Sequence, residues 1–179
     1  GAPEPSKPCS ATAASVRALF NPDSRMSNLA LNLWKKLSPL PMGKNAWSRM
    51  VSVKTPYFQS ISPQMLELAP GKAVARMSKR RRVTNHIGTV HAIAMCNLAE
   101  FVGGLMTEVS VPTTHRWIPK GMSVQYLLKA ETDLTASCHC DPLPSFGTSG
   151  FDWPVDVAVE DEKGQIVFRA QIQMWVSPK

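Results

Sequence analysis

Cysteine is scarce in this sequence, with four in 179 residues, and the spacing offers neither a disulfide scaffold nor a zinc site. Cys138 and Cys140 stand too close together for an ordinary disulfide bridge. His139 lies between the two cysteines, but no second pair of ligands follows at the spacing of a zinc site. In a strand, moreover, both sulfurs would lie on one face and the imidazole on the other. We therefore expect reduced cysteines and no metal.

Long apolar runs are also missing. No stretch of 18 uninterrupted apolar residues occurs, and the first twenty residues contain no apolar segment of the kind a secretory signal needs. A composition of 44% apolar and 18% charged residues excludes wholesale disorder, and the length suits one domain. We expect a soluble, cytoplasmic protein with no membrane partner.

Acidic residues are absent between Ala69 and Ala99, although the whole chain carries 13 of them against 20 Lys and Arg. The centre of this basic window is the run Lys79, Arg80, Arg81, Arg82. Such a run is typical of a solvated loop, of a site for a phosphate-bearing ligand or of a nucleic-acid contact. No helix-turn-helix, zinc finger or aromatic RNA-binding motif accompanies it, so we expect no nucleic-acid partner.

Hydrophobic spacing predicts two short helices near the start of the chain. Residues 1–22 are rich in Ala, Ser and Pro and are predicted to form a flexible tail. Apolar residues at intervals of three and four indicate an amphipathic helix from Arg25 to Leu37, which ends before Pro39. A second helix is predicted from about Lys44 to Lys54.

The rest of the chain is predicted to form strands around one long helix, from about Gly88 to Glu108. The predicted strands are Met65 to Ala69, Lys72 to Lys79, Ser123 to Ala130, Leu134 to Cys140, Val155 to Asp161 and Gln165 to Val176. Because strands and helices do not alternate, a doubly wound fold is excluded. We predict an α+β protein with an antiparallel sheet wrapped around one central helix, with residues 23–56 as a helical extension and 57–179 as the core of a single domain.

One side of the predicted long helix is mostly small or polar. With 100° per residue, Ile87, Ala94, Leu98, Phe101, Val102 and Leu105 fall on the opposite side, which should meet the sheet. The small or polar side is predicted to carry Thr89, Ile93, Cys96, Asn97, Glu100, Gly103, Gly104 and Thr107. Such a side admits a ligand or a second backbone, which makes Thr89 and Asn97 candidates for substrate binding.

Glu100 is the residue on this helix best suited to acid–base chemistry. A lone carboxylate on so apolar a helix is expected to be partly desolvated, which raises its pKa towards the range of a useful base. The alternative is an ordinary surface glutamate on the wet side of the helix. Composition alone favours neither interpretation.

The predicted start of the helix, Asn85 to His91, offers groups that stabilise a negative oxygen. Unpaired backbone N–H groups and the helix dipole do so at a helix N-terminus, and Gly88 lets a ligand approach closely. On a straight helix Gly88 and Glu100 would be about 18 Å apart, too far to serve one carbonyl group. If both matter, a two-fold dimer must bring Glu100 of one chain to the helix start of another.

The segment Asn85-x-x-Gly88-x-x-His91, followed by Leu98-Ala99-Glu100, resembles the signature of hot-dog fold thioesterases of the PaaI-like branch. The resemblance covers residues 60–176 in element order, and the two N-terminal helices resemble additions seen in another hot-dog branch. In this sequence Ala92 and Ile93 stand where the PaaI-like signature has two glycines.

The resemblance implies a hydrolase of acyl-coenzyme A thioesters that works as a dimer or tetramer, with coenzyme A as part of the substrate and no separate cofactor. It implies that the Gly88 N–H polarises the thioester carbonyl and that Asn85 orients the carbonyl or a water. Glu100 of the other protomer would act as base or nucleophile, His91 belongs to the same motif, and the basic run Lys79 to Arg82 would bind the coenzyme A phosphates.

Two other functions remain compatible with the sequence. One is a non-catalytic hot-dog module that binds acyl-coenzyme A or another apolar ligand, with Glu100 at an interface. The other is a dehydratase on the same fold, for which His86 and His91 would supply the acid–base pair.

Overall fold

The computed structural model describes residues 24–179, with side chains from residue 29 onwards. The chain starts there with α1 (Ser24–Leu37) and α2 (Gly43–Lys54), which confirm the two predicted helices. Pro39 and Pro41 separate them, since proline cannot continue a helix. Trp34 of α1 packs edge-on against Trp47 of α2, with ring centroids 5.2 Å apart. The predicted tail, residues 1–22, lies outside the described residues.

Six strands form one antiparallel sheet in the order β1-β2-β4-β5-β6-β3. Their bounds are β1 (Gln64–Ala69), β2 (Lys72–Met77), β3 (His115–Tyr126), β4 (Leu134–His139), β5 (Phe151–Glu160) and β6 (Ile166–Pro178). The central helix, α3 (Ala92–Ser110), packs against this sheet. The predicted α+β architecture, with an antiparallel sheet wrapped around one helix, is confirmed.

The predicted bounds of the third strand, Ser123 to Ala130, are wrong. The strand begins at His115 and ends at Tyr126, and it pairs with β6 along its whole length. The register of β3 against β6 shifts between Pro119 and Gly121. A bulge of this kind lets a strand contain one extra residue and a proline, which has no N–H to donate. Proline and glycine usually interrupt strands, so the sequence did not indicate one strand across Pro119 and Gly121.

The predicted start of the central helix at Gly88 is also wrong, because the helix begins at Ala92. Residues 84–90 form a turn closed by a bridge between Thr84 and Val90. Ile87, expected on the sheet-facing side of the helix, therefore lies outside the helix and is 63% exposed.

The small residues of α3 do not form one open face as predicted. Gly103 and Thr107 are buried. A Cβ at Gly103 would stand 2.8 Å from Cδ1 of Ile172 on β6, so this glycine lets helix and sheet approach closely. The reason is that both sides of α3 are covered, one by the sheet and the other by α1 and the 3-10 turn Pro56–Ser60.

By length and composition alone, α3 qualifies as a helix that could cross a membrane. Most of it is buried inside the structure, and Leu98, Phe101, Val102 and Met106 have no exposed surface. Its apolar character is therefore that of the core helix.

Candidate active site

Asn85 holds the turn that precedes α3. Its Oδ1 accepts hydrogen bonds from the backbone N–H groups of Ile87 and Thr89, each at 3.1 Å. Its Nδ2 donates to Oγ1 of Thr89 at 2.8 Å. Because an amide carries two N–H hydrogens, one donor of Asn85 remains for another acceptor. Thr89 is buried and bonds to Asn85 through its hydroxyl and its N–H, so it belongs to this turn, and its contact with substrate stays a prediction.

Gly88 occupies the tip of this turn with a φ of +81°, a conformation that favours glycine. Nothing lies within 4 Å of the position a Cβ would take, so backbone conformation and not space requires the glycine. Its N–H donates to the carbonyl oxygen of Asn85 at 3.1 Å. Gly88 is therefore neither at the helix start nor a donor without a partner, which corrects the expectation from the sequence.

His91 is the N-cap of α3. Its Nδ1 accepts a hydrogen bond from the N–H of Ile93 at 3.1 Å, and its carbonyl oxygen accepts from Ala94 at 2.9 Å. The backbone N–H of His91 donates to the carbonyl oxygen of Val83 at 2.8 Å. An imidazole that satisfies a helix amide in this way stabilises the helix start, a role that side chains of N-cap residues commonly take.

Asn97 is buried on α3 and tethers the 3-10 turn Pro56–Ser60. Its Nδ2 donates to Oγ of Ser60 at 3.1 Å and lies 3.5 Å from the carbonyl oxygen of Tyr57. Its Oδ1 is buried and has no hydrogen-bond partner in the described part of the chain. A buried acceptor without a donor is costly, so this atom is suited to accept from a ligand or a water.

The basic run divides into two parts. Lys79 Nζ donates to the carbonyl oxygen of Glu131 at 3.0 Å, and Arg80 Nη2 donates to the carbonyl oxygen of Ile61 at 2.8 Å. These two side chains fasten the loop to its neighbours. Arg81 and Arg82 begin a 3-10 turn, are exposed, and have side chains with no ion pair or hydrogen bond among the described residues.

Glu100 borders a partly open cavity of about 450 Å³ that is lined by residues of α1, α2, α3, β3 and β6. The apolar part of the lining includes Leu29, Leu33, Met50, Phe58, Leu105 and Met174. Glu100 is exposed at this border, and partial desolvation of its carboxyl group raises the pKa of that group. This agrees with the prediction of a partly desolvated carboxylate on α3.

A second carboxylate of the same cavity, Glu108, is a site residue that the sequence reasoning missed. Its Oε2 accepts a hydrogen bond from the indole N–H of Trp117 at 2.7 Å. Desolvation raises its pKa, while the bond from Trp117 and the charge of Lys179 partly oppose the shift. The available signal was the spacing of four that connects Glu100, Gly104 and Glu108 along one side of a helix.

The structure collects Asn85, Gly88 and Thr89 in one turn and places Glu100 elsewhere. Glu100 lies eight residues beyond Ala92, about 12 Å along the helix. The turn and the carboxylate of one chain are therefore too far apart to contact the same carbonyl group.

Comparisons with known proteins agree with this architecture. Residues 43–176 match the family described as Domain of unknown function (DUF4442). A crystal structure of a genomics target is 42% identical, with a TM-score of 0.72, over 87% of this chain and 98% of that one. No curated protein matches the chain in sequence.

Two more distant structures share the fold. A Pseudomonas aeruginosa protein of unknown function, named a probable thioesterase, is 22% identical with a TM-score of 0.69, over 78% of this chain and 97% of that one. A thioesterase from Haemophilus influenzae is 15% identical with a TM-score of 0.58, over 68% and 82%. At these identities the likeness concerns the fold alone. The chain therefore belongs to the DUF4442 family, and its fold is the hot-dog fold of these thioesterase structures.

Proposed function

We propose that this protein hydrolyses acyl-coenzyme A thioesters at a site shared by two protomers. The observation that carries the proposal is the Glu100 carboxylate, which borders an apolar cavity and whose pKa is raised by burial. A base of this kind is suited to take a proton near neutral pH. The names of the Pseudomonas aeruginosa and Haemophilus influenzae structures, probable thioesterase and thioesterase, agree with this choice of reaction.

In the proposed reaction a water molecule adds to the thioester carbonyl carbon while Glu100 accepts one of its protons. The C–S bond of the resulting tetrahedral species then breaks, and the proton passes from Glu100 to the leaving sulfur. The products are a carboxylic acid and the thiol of coenzyme A. In the alternative, Glu100 attacks the carbonyl carbon itself, and the C–S bond breaks to release the coenzyme A thiolate. Water then hydrolyses the resulting anhydride to the carboxylic acid and the free Glu100 carboxylate, and the released proton passes to the thiolate.

The carbonyl oxygen would be stabilised by the start of α3. Asn85 has one amide hydrogen left after bonding Thr89, which suits it to orient the carbonyl or a water. The imidazole of His91 accepts a hydrogen bond from the N–H of Ile93. The N–H of Ala92 is therefore the first helix amide that could stabilise negative charge on the carbonyl oxygen. We assign Gly88 the role of shaping this turn, because its N–H already donates to Asn85.

A second copy of the chain would dock at the edge strand β3. Within residues 24–179, β3 pairs only with β6, so its other edge is open. The opposite edge, β1, is covered by α2, where Ser48 Oγ accepts from the N–H of Met65 and Lys44 Nζ donates to the carbonyl of Leu66. An open edge is a template for pairing with another chain.

The open edge also carries exposed apolar side chains close to the carboxylate-bearing helix. Met122, Tyr126, Leu127 and Leu128 are between 38% and 50% exposed. The Tyr126 hydroxyl lies 3.3 Å from Sγ of Cys96, which is one helical turn from Glu100. Pairing at β3 would therefore bring a partner near Glu100, and two equivalent sites would follow from the two-fold symmetry of a dimer.

The phosphates of coenzyme A would bind to Arg81 and Arg82. These guanidinium groups are exposed and unengaged in the described structure, whereas Lys79 and Arg80 bond to backbone carbonyls. Arginine suits this task because its planar group binds phosphate oxygens in pairs.

An assay with a panel of acyl-coenzyme A esters, comparing the parent with Glu100→Gln, tests the proposed function. We expect hydrolysis by the parent and its loss in the variant, with the oligomeric state unchanged. Equal rates would contradict the role of Glu100, and binding without hydrolysis by the parent would favour the non-catalytic module.

The dehydratase is the weaker candidate, since the His91 imidazole already caps α3. Hydration of a crotonyl thioester by the parent protein would favour it over the hydrolase.

A further inference from the structure

The cavity beside Glu100 depends on the N-terminal helices. Leu29, Ala30 and Leu33 of α1 form one wall, and Met50 and Val51 of α2 extend it. Residues 43–176 match the family, so α1 lies before the matched range. The volume of about 450 Å³ falls within the range of small-molecule sites. Helix α1 therefore covers part of an apolar space over the core.

The opposite wall of the cavity is a straight run along α3. Glu100, Gly104 and Glu108 all line it at intervals of one helical turn, spanning about 12 Å. Gly104 leaves a gap between the two carboxylates, and Trp117 closes the far end by donating to Glu108. The free space thus has an elongated wall, with the candidate catalytic carboxylate at one end.

We propose that this cavity binds the hydrocarbon chain of the acyl group, which runs from Glu100 past Gly104 towards Glu108 beneath α1. The assignment rests on the proposed hydrolysis, which puts the thioester carbonyl at Glu100. An apolar lining of this length suits a linear chain and gains little from an acetyl group, because the free energy of burial grows with apolar area. The substrates are therefore medium- or long-chain acyl thioesters.

Binding of 1-dodecanol, measured by titration calorimetry, tests this assignment without the need for turnover. A neutral probe is chosen because charged side chains, those of Glu100, Glu108 and Lys54, also line the cavity. We expect one dodecanol to bind per chain in both the parent and Glu100→Gln, and no measurable binding of ethanol under the same conditions. Absence of dodecanol binding to the folded parent would overturn the assignment.

Gly104→Leu fills the proposed path of the chain. A Cβ at Gly104 would stand 3.5 Å from Cη2 of Trp117, an ordinary contact, so the backbone accepts a side chain that extends into the cavity. We expect dodecanol binding to weaken at least tenfold. The matched control is Gly147→Leu, since a Cβ at Gly147 meets no atom within 4 Å and Gly147 does not line the cavity. Equal affinity of Gly104→Leu and the control would overturn the proposal.

Leu33→Trp fills the same space from the α1 wall and provides a second test if Gly104→Leu fails to fold. It is expected to weaken dodecanol binding while a circular dichroism spectrum shows the parent's helical content. Unchanged binding in folded Leu33→Trp would contradict the proposal. Dodecanol binding without any acyl-coenzyme A hydrolysis would refute the proposed function but leave the chain-binding site intact. Hydrolysis without dodecanol binding would refute the site alone.

Discussion

Asn85 and Thr89 are joined by three hydrogen bonds that close the turn before the central helix. The Asn85 amide nitrogen Nδ2 donates to Thr89 Oγ1 at 2.8 Å, the Thr89 N–H donates to Asn85 Oδ1 at 3.1 Å, and the Asn85 N–H donates to the Thr89 carbonyl at 2.9 Å. One side chain therefore both builds the turn and keeps one N–H for a ligand.

Asn85→Asp and Asn85→Ala separate these two roles. The aspartate keeps an oxygen for the N–H groups of Ile87 and Thr89 but has no amide donor, whereas alanine loses both. We expect Asn85→Ala to lower the free energy of unfolding by about 1–3 kcal/mol, because it leaves a buried N–H unsatisfied. Asn85→Asp should be more stable than Asn85→Ala and still lose most hydrolysis. Denaturant unfolding with a parallel rate assay checks both, and full activity in Asn85→Asp would contradict the donor role.

The rate of hydrolysis should depend on pH through Glu100. A base acts when deprotonated, so kcat/KM is expected to rise as the pH increases through the pKa of Glu100, which burial places above its usual value. Glu100→Gln is predicted to lose about 10²- to 10⁴-fold in rate and to lack this acidic limb. Glu131→Gln, at an exposed position outside the cavity lining, is the control and should keep the parent's profile. An identical limb in Glu100→Gln would assign the titration to another group.

The free energy of unfolding should fall as the pH rises, whereas the rate of hydrolysis should increase. Because the pKa of Glu100 is higher in the folded chain than in the unfolded chain, the folded state binds more protons between the two values. The free energy of unfolding therefore falls as the pH rises through this window. Glu100→Gln removes that decline, so the Tm of the variant should exceed the Tm of the parent at pH 8. The difference in Tm should narrow at pH values below the pKa of Glu100 in the unfolded chain. A gap that widens on acidification would refute the desolvation of Glu100.

The double variant Arg81→Ala with Arg82→Ala tests where coenzyme A binds. Removal of two exposed arginine–phosphate contacts is expected to raise KM by about tenfold and to make KM less dependent on salt concentration. Lys35→Ala with Lys36→Ala removes the same charge from the last turn of α1 and is expected to leave KM near the parent's. If both double variants changed KM equally, net charge and not a phosphate site would explain the effect.

Much of the fold was predictable from the sequence because the periodic segments are strong. The alternation in β6 and the spacing in α1 identified these elements to within two residues. The start of α3 was misplaced by four residues, since an Asn85-to-Gly88 turn and a helix start use the same residue types. The early part of β3 was missed because a bulge accommodates Pro119, which breaks most strands.

Only those parts of the candidate site that lie within a single helix or strand could be predicted from the sequence. Glu100 stood out as a carboxylate in the middle of an apolar helix. The spacing of four that relates Glu108 to Glu100 is present in the sequence. The bond from Trp117 to Glu108 joins α3 to β3, and no local pattern encodes that contact. The division of the basic run likewise depends on the Ile61 and Glu131 carbonyls, which come from distant parts of the chain.

Complementation between two inactive variants tests most directly whether the reaction centre is shared between chains. Glu100→Gln and Asn85→Asp each disable one half of every site, but a heterodimer of the two contains one intact site. We predict that an equimolar mixture, unfolded together and refolded, regains about a quarter of the parent's activity, because half of the dimers are heterodimers and each of these has one intact site of two. No recovery, from a mixture shown to contain heterodimers, would contradict the shared site.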